Sequence, residues 1–488
     1  MNKSSLGKDA LSLTVSKVTT LVLSVAVSML LARFRTLEEY GTYSQMLLVI
    51  NLVSSLLMLG LPNSLNFFIP RAGSDEERQS FLSVYYTVNT FLSLIIGAVL
   101  VLSVPLIEAY FDNPLIHSFI YFLALMPWAT LTAATVENIL VVYGRARFMI
   151  VYQLASVIGQ LTVIVGVQLL GYGFKTYLIC SVILNCLLAL AVYLIVIRLS
   201  GGIHFSLDKH LIKTIFAFSV PIGLAGMVGT INIDIDKLLI GRLMDTEQLA
   251  VYTNAAKELP LSIVSASITA VLLPKLTLMV KNKEYDEAVR LWGAAAELAF
   301  IIISLIVAGV FTFAPDVLSF LYSDKYLPGV NVFRVYTLGL LLRCTYFGMI
   351  INALGHTKKI LVCSIVSLLI NTALNPLMYM LFGMIGPAIA TLIAVLLVML
   401  LQLKMSADAV CMPLCRVFPW KSIGAVLALN IAMSAVFCAI KYILPIDRII
   451  GSFAESLLLG GAWAVLYILF MKKRIAFMWG VLNKGDAD

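Results

Sequence analysis

The sequence predicts an all-α polytopic membrane protein with about 14 transmembrane helices, and three observations carry that prediction. Hydrophobic residues make up 61% of the chain and charged residues only 12%, against about 25% charged in ordinary soluble domains. The apolar residues gather into fourteen blocks, each close to the roughly 20 residues that a bilayer span needs. Lysine and arginine then concentrate in alternate connections, as the positive-inside rule requires of cytoplasmic segments.

In chain order the blocks start near Leu11, Thr42, Phe81, Ile116, Phe148, Thr176, Thr214, Leu249, Leu291, Gly329, Ile360, Met384, Ser422 and Ile449, the last ending near Met471. The first stands behind only Lys3 and Lys8 with no small-residue cleavage pattern after it, so it reads as a retained helix and not a removed signal. Pro62, Pro127, Pro221, Pro260 and Pro376 interrupt five blocks, which membrane helices tolerate where neighbours satisfy the freed backbone groups. With both termini cytoplasmic, the inside segments include Arg71, Arg78, Arg145, Arg147, Lys209, Lys213, Lys281, Lys283, Lys358, Lys359, Lys472 and Lys473. Outside fall Arg33, Arg35, Lys175, Arg242, Lys325, Lys441 and Arg448, an inside excess of about threefold. The net charge of +8 therefore reports loops beside anionic lipid and calls for no nucleic-acid partner.

The connections are all short, the longest being "RLSGGIHFSLDKHLIK", "KMSADAVCMPLCRVFPWK" and "FAPDVLSFLYSDKYLPG". None is large enough for the acidic or arginine-bearing domain that membrane glycosyltransferases and polymerases carry, so the chain reads as a non-enzyme. Its seven cysteines are scattered, and the close pair in "CMPLC" lies in a loop placed in a reducing compartment. His117, His204, His210 and His356 occupy different loops or helix ends, which suggests no metal centre. No glycine-rich phosphate loop is present. No cofactor is expected.

A weak duplication runs through the chain. "TLEEYGTY" (Thr36 to Tyr43) matches "DTEQLAVY" (Asp245 to Tyr252), "FIPR" (Phe68 to Arg71) matches "LLPK" (Leu272 to Lys275), and "YGRARF" (Tyr143 to Phe148) matches "LGHTKK" (Leu354 to Lys359). The offsets agree at roughly 210 residues, and the matched spans lie six apart, so the repeat is parallel about an axis along the membrane normal. The expected organisation is an N-terminal lobe over 1–198 with spans 1 to 6, a cytoplasmic linker over 199–213 and a C-terminal lobe over 214–404 with spans 7 to 12. A cytoplasmic loop over 405–421 and spans 13 and 14 with a tail over 422–488 complete it. Each lobe supplies the other's partner, so a monomer is expected.

Layout and residues together resemble the polysaccharide-transporter (Wzx-type) flippases of the multidrug/oligosaccharidyl-lipid/polysaccharide exporter superfamily. The resemblance covers essentially the whole chain. Its carriers are "LEEYGTYSQ", "IDKLLIGRLMDTEQLAVY" and "LLINTALNPLMYMLFGMIGPAIAT" (Leu368 to Thr391). It implies movement of undecaprenyl-diphosphate-linked oligosaccharides from the inner to the outer face of the bacterial plasma membrane, by alternating access around a cationic cavity between two lobes. Coupling to a proton or sodium gradient is implied as well, with membrane lipids and other polysaccharide-assembly membrane proteins as partners.

Polar faces on the helices are what such a cavity would use. Span 1 places Thr14, Lys17, Thr20, Ser24 and Ser28 on one helical face, span 2 does so with Ser44, Asn51, Ser54 and Ser55, and span 8 gathers Asn254, Lys257, Glu258, Ser262, Ser265 and Thr269. Small hydroxyls also serve close helix packing, so serine stripes alone do not decide. An ionisable side chain inside a span costs at least about 2.5 kcal/mol on insertion scales and is a functional candidate by default. Lys257 in span 8, with Glu258 beside it, leads; Arg343 in span 10 sits at similar depth, while Lys17 and Arg334 lie nearer the ends. The expected task of these cations is to replace the hydration that a diphosphate loses on entry, an arginine adding paired donors.

Three charges stand in "NIDIDKLLIGRL" (Asn232 to Leu243). Asp234 and Lys237 share a helix face and can pair, whereas Asp236 shares the face of Asn232. Two readings stay open. All three charges form a half-solvated latch or anchor, or Asp236 with Asn232 offers oxygens to a coupling ion or closes a gate against Lys257 or Arg35. Glu137 is a second acidic candidate, Glu297 reads as an inner-end snorkeler, and Asn371 and Asn375 read as helix bridges. The rivals to the flippase are a drug or cation antiporter of the same superfamily, a peptidoglycan lipid-precursor flippase, and at a distance a glycosyltransferase or polymerase.

Overall fold

The computed structural model describes residues 20, 23–257, 259, 261–444, 449 and 451–484, and it is helical throughout those residues apart from turns and short connections. Two compact units divide it, Met1–Ala250 and Val251–Asp488. The first holds α1 (Leu23–Phe34), α2 (Leu37–Leu57), α3 (Asn63–Phe68), α4 (Asp75–Leu102), α5 (Val104–Phe111), α6 (Ile120–Ala133), α7 (Val136–Val142), α8 (Ala146–Leu169), α9 (Phe174–Ser200) and α10 (Lys209–Leu243). After α11 (Thr246–Ala255), which straddles the division, the second holds α12 (Ser262–Lys281), α13 (Tyr285–Thr312), α14 (Ala314–Tyr322), α15 (Val330–Gly339), α16 (Met349–Ala353), α17 (Thr357–Phe382), α18 (Gly386–Ala409), α19 (Leu414–Val417), α20 (Trp420–Ile443) and α21 (Ser452–Lys484).

Among the described residues each of the fourteen apolar blocks contains helix. Among the described residues, ten helical stretches are long and apolar enough to cross a membrane, one of them, Lys358–Ala409, being the pair α17 and α18. The protein is a multi-pass membrane protein. Block 10 falls short of a continuous span because its helix is broken at Leu340, block 8 contributes its second half, Ile263–Lys281, to the ten, α2 of block 2 is 21 residues long without being among them, and of block 1 only α1 and Thr20 lie in the described residues.

Local chemistry sets the ends. Thr36 caps α2 in a reciprocal box with Glu39, Ser74 caps α4 above a first turn of Asp75, Glu76 and Glu77, and Asp208 accepts the N–H groups of His210 and Leu211 at the head of α10. Each cap satisfies backbone donors that a helix start leaves orphaned, and acids in the first turn complement the helix dipole. The connection between α9 and α10 is laid along α4, where the N–H groups of His204 and Ser206 donate to Ser83 and Thr87 at 3.2 Å each.

The break in block 2 follows from Gly60, whose φ of +72° suits a residue without Cβ. The site also allows a backbone approach: a Cβ on Gly60 would stand 2.6 Å from the Ser219 carbonyl, and one on Gly223 would stand 2.2 Å from the Leu59 carbonyl carbon. In the same unit Gly41 of "EYGTY" lies against Thr246 of "DTEQ", with 2.1 Å between a built Cβ and the Thr246 oxygen. The two repeated motifs therefore pack on each other. Behind them Asn113 donates to Thr42 Oγ1 at 2.9 Å and Gln45 Oε1 at 2.7 Å, and Gln45 donates to Thr246 at 3.2 Å.

In the second unit α13 is the buried axis, with α20 and α21 against it and Trp292, Trp463 and Tyr467 fully enclosed. Since α10 packs on α2, α3 and α4, the compact units part at Ala250. The six-helix lobes read from the repeat begin the second lobe earlier, at 214.

Candidate functional site

In the first unit, α10 carries the charged stretch. Asp234 and Lys237 form the expected pair, Nζ to Oδ1 at 2.7 Å, and Lys237 also reaches the Ile233 carbonyl at 3.3 Å. Asp236 points elsewhere, as the spacing predicts, and it is only 1% exposed. Its Oδ1 accepts the N–H of Lys237 at 2.8 Å. Asn232 lies beside it on α10, half-buried. Asp236 is thus enclosed, whereas the latch reading required all three charges to be half solvated.

Arg35 is 5% exposed and lies over the Tyr177 ring at 5.6 Å, with Nη1 3.5 Å from the Tyr172 carbonyl. Glu137 occupies the first turn of α7, just after the turn that separates it from α6, where the helix dipole favours an acid. Ser24 on α1 and Asn51 on α2 are exposed, and Ser28 is half-buried. Lys17 and Thr14 lie outside the described residues.

Block 8 departs from the sequence reading. The helix ends at Ala255 and resumes at Ser262, so Lys257 sits in an unwound turn and the single polar stripe from Asn254 to Thr269 is split. The sequence places Pro260 in this gap, and proline withholds an N–H and disfavours helix in the residue before it. Lys257 Nζ stands 5.8 Å from the centre of the Tyr322 ring, a favourable cation–π geometry. Asn254 is fully buried on α11. Glu258 lies outside the described residues, and of Ser262 only the backbone is described.

Arg343 ends a short 3-10 segment, Leu340–Arg343, that breaks block 10. It lines a cavity of about 550 Å³ with Ser265 and Thr269 of α12, Thr345, Ser367 of α17 and Gln402 of α18. Apolar wall comes from Leu342, Tyr346, Phe347 and Met399. Arg343 and Lys257 stand among different elements. Lys257 meets the Tyr322 ring of α14, whereas the Arg343 cavity opens beside Ser265 and Thr269 of α12, past the unwound gap. Arg334 lies elsewhere again, its Nε 3.3 Å from the Phe311 carbonyl in the last turn of α13 and its guanidinium over the Phe311 ring. That is the position from which a cation complements a helix C-terminus.

Two features escaped the sequence reading. Glu297, read as a snorkeler, is 1% exposed. It accepts from Arg474 of α21, Nη2 to Oε2 at 3.0 Å, and from the Ser422 hydroxyl of α20. Burial forces the pairing, since a lone charge there would be costly. At the opposite end of the same helices Asp316 accepts from Lys441, Ser452 and Ser456. Between them Asn430 donates to Ser304 at 3.1 Å and Tyr467 to the Ile301 carbonyl at 3.1 Å. Spans 13 and 14 are thus clipped to α13 and α14 at three levels. Asn371 accepts from Thr391 at 3.3 Å and so bridges α17 and α18. Among the described residues no three His, Cys, Asp or Glu side chains gather as a metal site.

The chain is a polytopic helical membrane protein, and solved structures share its fold. The chain matches a structure described as the lipid II flippase MurJ in an inward closed conformation, with TM-score 0.73 and 19% identity over 95% of this chain and 99% of that one. It also matches an inward-facing multidrug resistance MATE family transporter of the MOP superfamily, with TM-score 0.62 and 15% identity over 80% and 94%. A probable lipid II flippase MurJ from Rhizobium tropici is 25% identical over 149 residues, which is 30% of this chain and only 28% of that relative's length. The sequence pattern of the polysaccharide biosynthesis protein family matches residues 30–331, well over half of the chain, and the chain belongs to that family.

Proposed function

We propose that the protein is a flippase that carries undecaprenyl-diphosphate-linked oligosaccharide repeat units from the cytoplasmic to the outer face of a bacterial plasma membrane, for O-antigen, capsule or exopolysaccharide assembly. The observation that carries this reading is the Arg343 cavity, a space inside a transporter fold where a guanidinium faces uncharged hydroxyl and amide side chains. A guanidinium presents fixed paired donors to phosphate oxygens. Lys257 serves as a second cationic station nearer α14, so that a diphosphate passes between two positive positions. A cationic drug would meet like charge at both.

The lipid tail stays in the bilayer while the sugar crosses through the polar interior, so the site holds phosphate firmly and sugar loosely. Asp236 serves as the coupling acid for a proton or sodium ion. The carrier acts as a monomer, with both termini cytoplasmic. The experiment is a pair of substitutions, Lys257→Ala and Arg343→Ala, each scored for surface polysaccharide at matched protein abundance. The reading expects both to lower it; two wild-type levels would overturn it. A second reading, export of a peptidoglycan lipid precursor, is favoured by the near-complete structural match to a lipid II flippase. It predicts loss of cell-wall integrity in place of surface polysaccharide.

A further inference from the structure

A second hollow, of about 430 Å³, opens in the second unit where α13 begins, α19 crosses and α21 ends. Its walls are apolar, formed by Gly293, Ala294, Val417, Met478 and Val481, while Arg290 and Arg416 stand on its rim. Asp286 is on the rim as well, and Glu297 closes the floor. The Glu297 carboxylate is already taken up by Arg474 and Ser422, so it offers little negative charge to an occupant. Arg290 has only a 3.9 Å contact with Glu287, both side chains being mostly exposed, and such contacts are weak.

The depth of this hollow is marked by α21. Exposed Lys472 and Lys473 are followed by further helix in which Phe477 and Trp479 are 61% and 59% exposed. Basic residues beside an exposed tryptophan mark headgroup depth.

We propose that this hollow holds an anionic glycerophospholipid of the cytoplasmic leaflet, its phosphate between Arg290 and Arg416 and one acyl chain along Met478 and Val481. An occupant with a charged head and an apolar chain matches a basic rim over apolar walls. By filling the angle between α13, α19 and α21, it braces the helices that carry the Glu297 pair. The site is separate from the Arg343 cavity and does not depend on the cargo.

The test uses the full chain in nanodiscs of mixed phosphatidylcholine and phosphatidylglycerol, with retained lipid counted by native mass spectrometry. Wild type is expected to retain phosphatidylglycerol in preference. Neutralising a basic residue near an anionic lipid costs about fivefold in retention, so Arg290→Gln with Arg416→Gln should weaken it about thirtyfold. Gly293→Leu guards against misfolding of that double variant: its first carbon meets nothing closer than Pro419 Cδ at 3.8 Å, and the remainder fills the hollow without changing charge. It should also lose the lipid, whereas Lys472→Gln with Lys473→Gln should keep it. Equal retention in wild type and both hollow variants would overturn the proposal. So would equal retention of phosphatidylcholine, or displacement of the lipid by inorganic phosphate, which would make the rim a simple anion site.

Discussion

Removing Arg474 should destabilise the second unit far more than removing its partner. The side chain of Glu297 is 2% exposed and that of Arg474 46%, so the two losses are unequal. Arg474→Met strands a carboxylate in the interior of α13 with the Ser422 hydroxyl still donating to it. Breaking a buried pair costs about 3–5 kcal/mol, and a charge within a span at least about 2.5. Because Arg474 is half solvated, the lower part of that range applies, about 2.5–3.5 kcal/mol. Glu297→Gln leaves an arginine that can extend toward water, costing about 1 kcal/mol or less. The double variant should therefore behave like Glu297→Gln alone. Apparent melting temperatures of the four proteins in nanodiscs form a double-mutant cycle. If Arg474→Met proves as mild as Glu297→Gln, or the double variant is worse than Arg474→Met, the pair does not hold α21 to α13.

Other consequences can be checked with equal directness. Gly41→Val drives a side chain into the Thr246 carbonyl, and overpacking of this kind costs about 1–3 kcal/mol, so it should lower the yield of folded protein, whereas Gly144→Ala, with nothing within 4 Å of a built Cβ, tests only the strain of a positive φ. Burial raises the Asp316 carboxyl, but hydrogen bonds from Lys441, Ser452 and Ser456 together with the Lys441 charge hold it below the usual carboxylate range. Its stabilisation is therefore complete above that range and lost as pH falls through the lowered value, and Asp316→Asn should flatten the acid side of a melting profile. For Asp236→Asn, transport that keeps its ion-gradient dependence would assign Asp236 to structure and not to coupling.

The membrane fold was legible because a span writes its own length into the composition. Among the described residues every block contains helix, and the Asp234 to Lys237 pair follows from spacing alone. What escaped was nonlocal or broken. Nothing near Glu297 announces Arg474, 177 positions away; the only signal was that a buried acid requires a cation. The helical stripe through Asn254 and Lys257 fails because the helix ends at Ala255 and resumes at Ser262, a gap in which the sequence holds Pro260. Gly60 and Gly41 carried a readable hint, since glycine inside an apolar block permits close backbone approach, but the partner could not be named from the sequence.

The most direct measurement is made on a strain lacking this protein: extract its undecaprenyl-diphosphate-linked glycans, identify them by mass spectrometry, and test their protection from an externally added glycosidase. The account predicts a complete oligosaccharide unit accumulating on the protected, cytoplasmic face, and its release when the wild-type chain but not Arg343→Ala is restored. An unchanged glycan pool, with altered sensitivity to cationic drugs in its place, would contradict it.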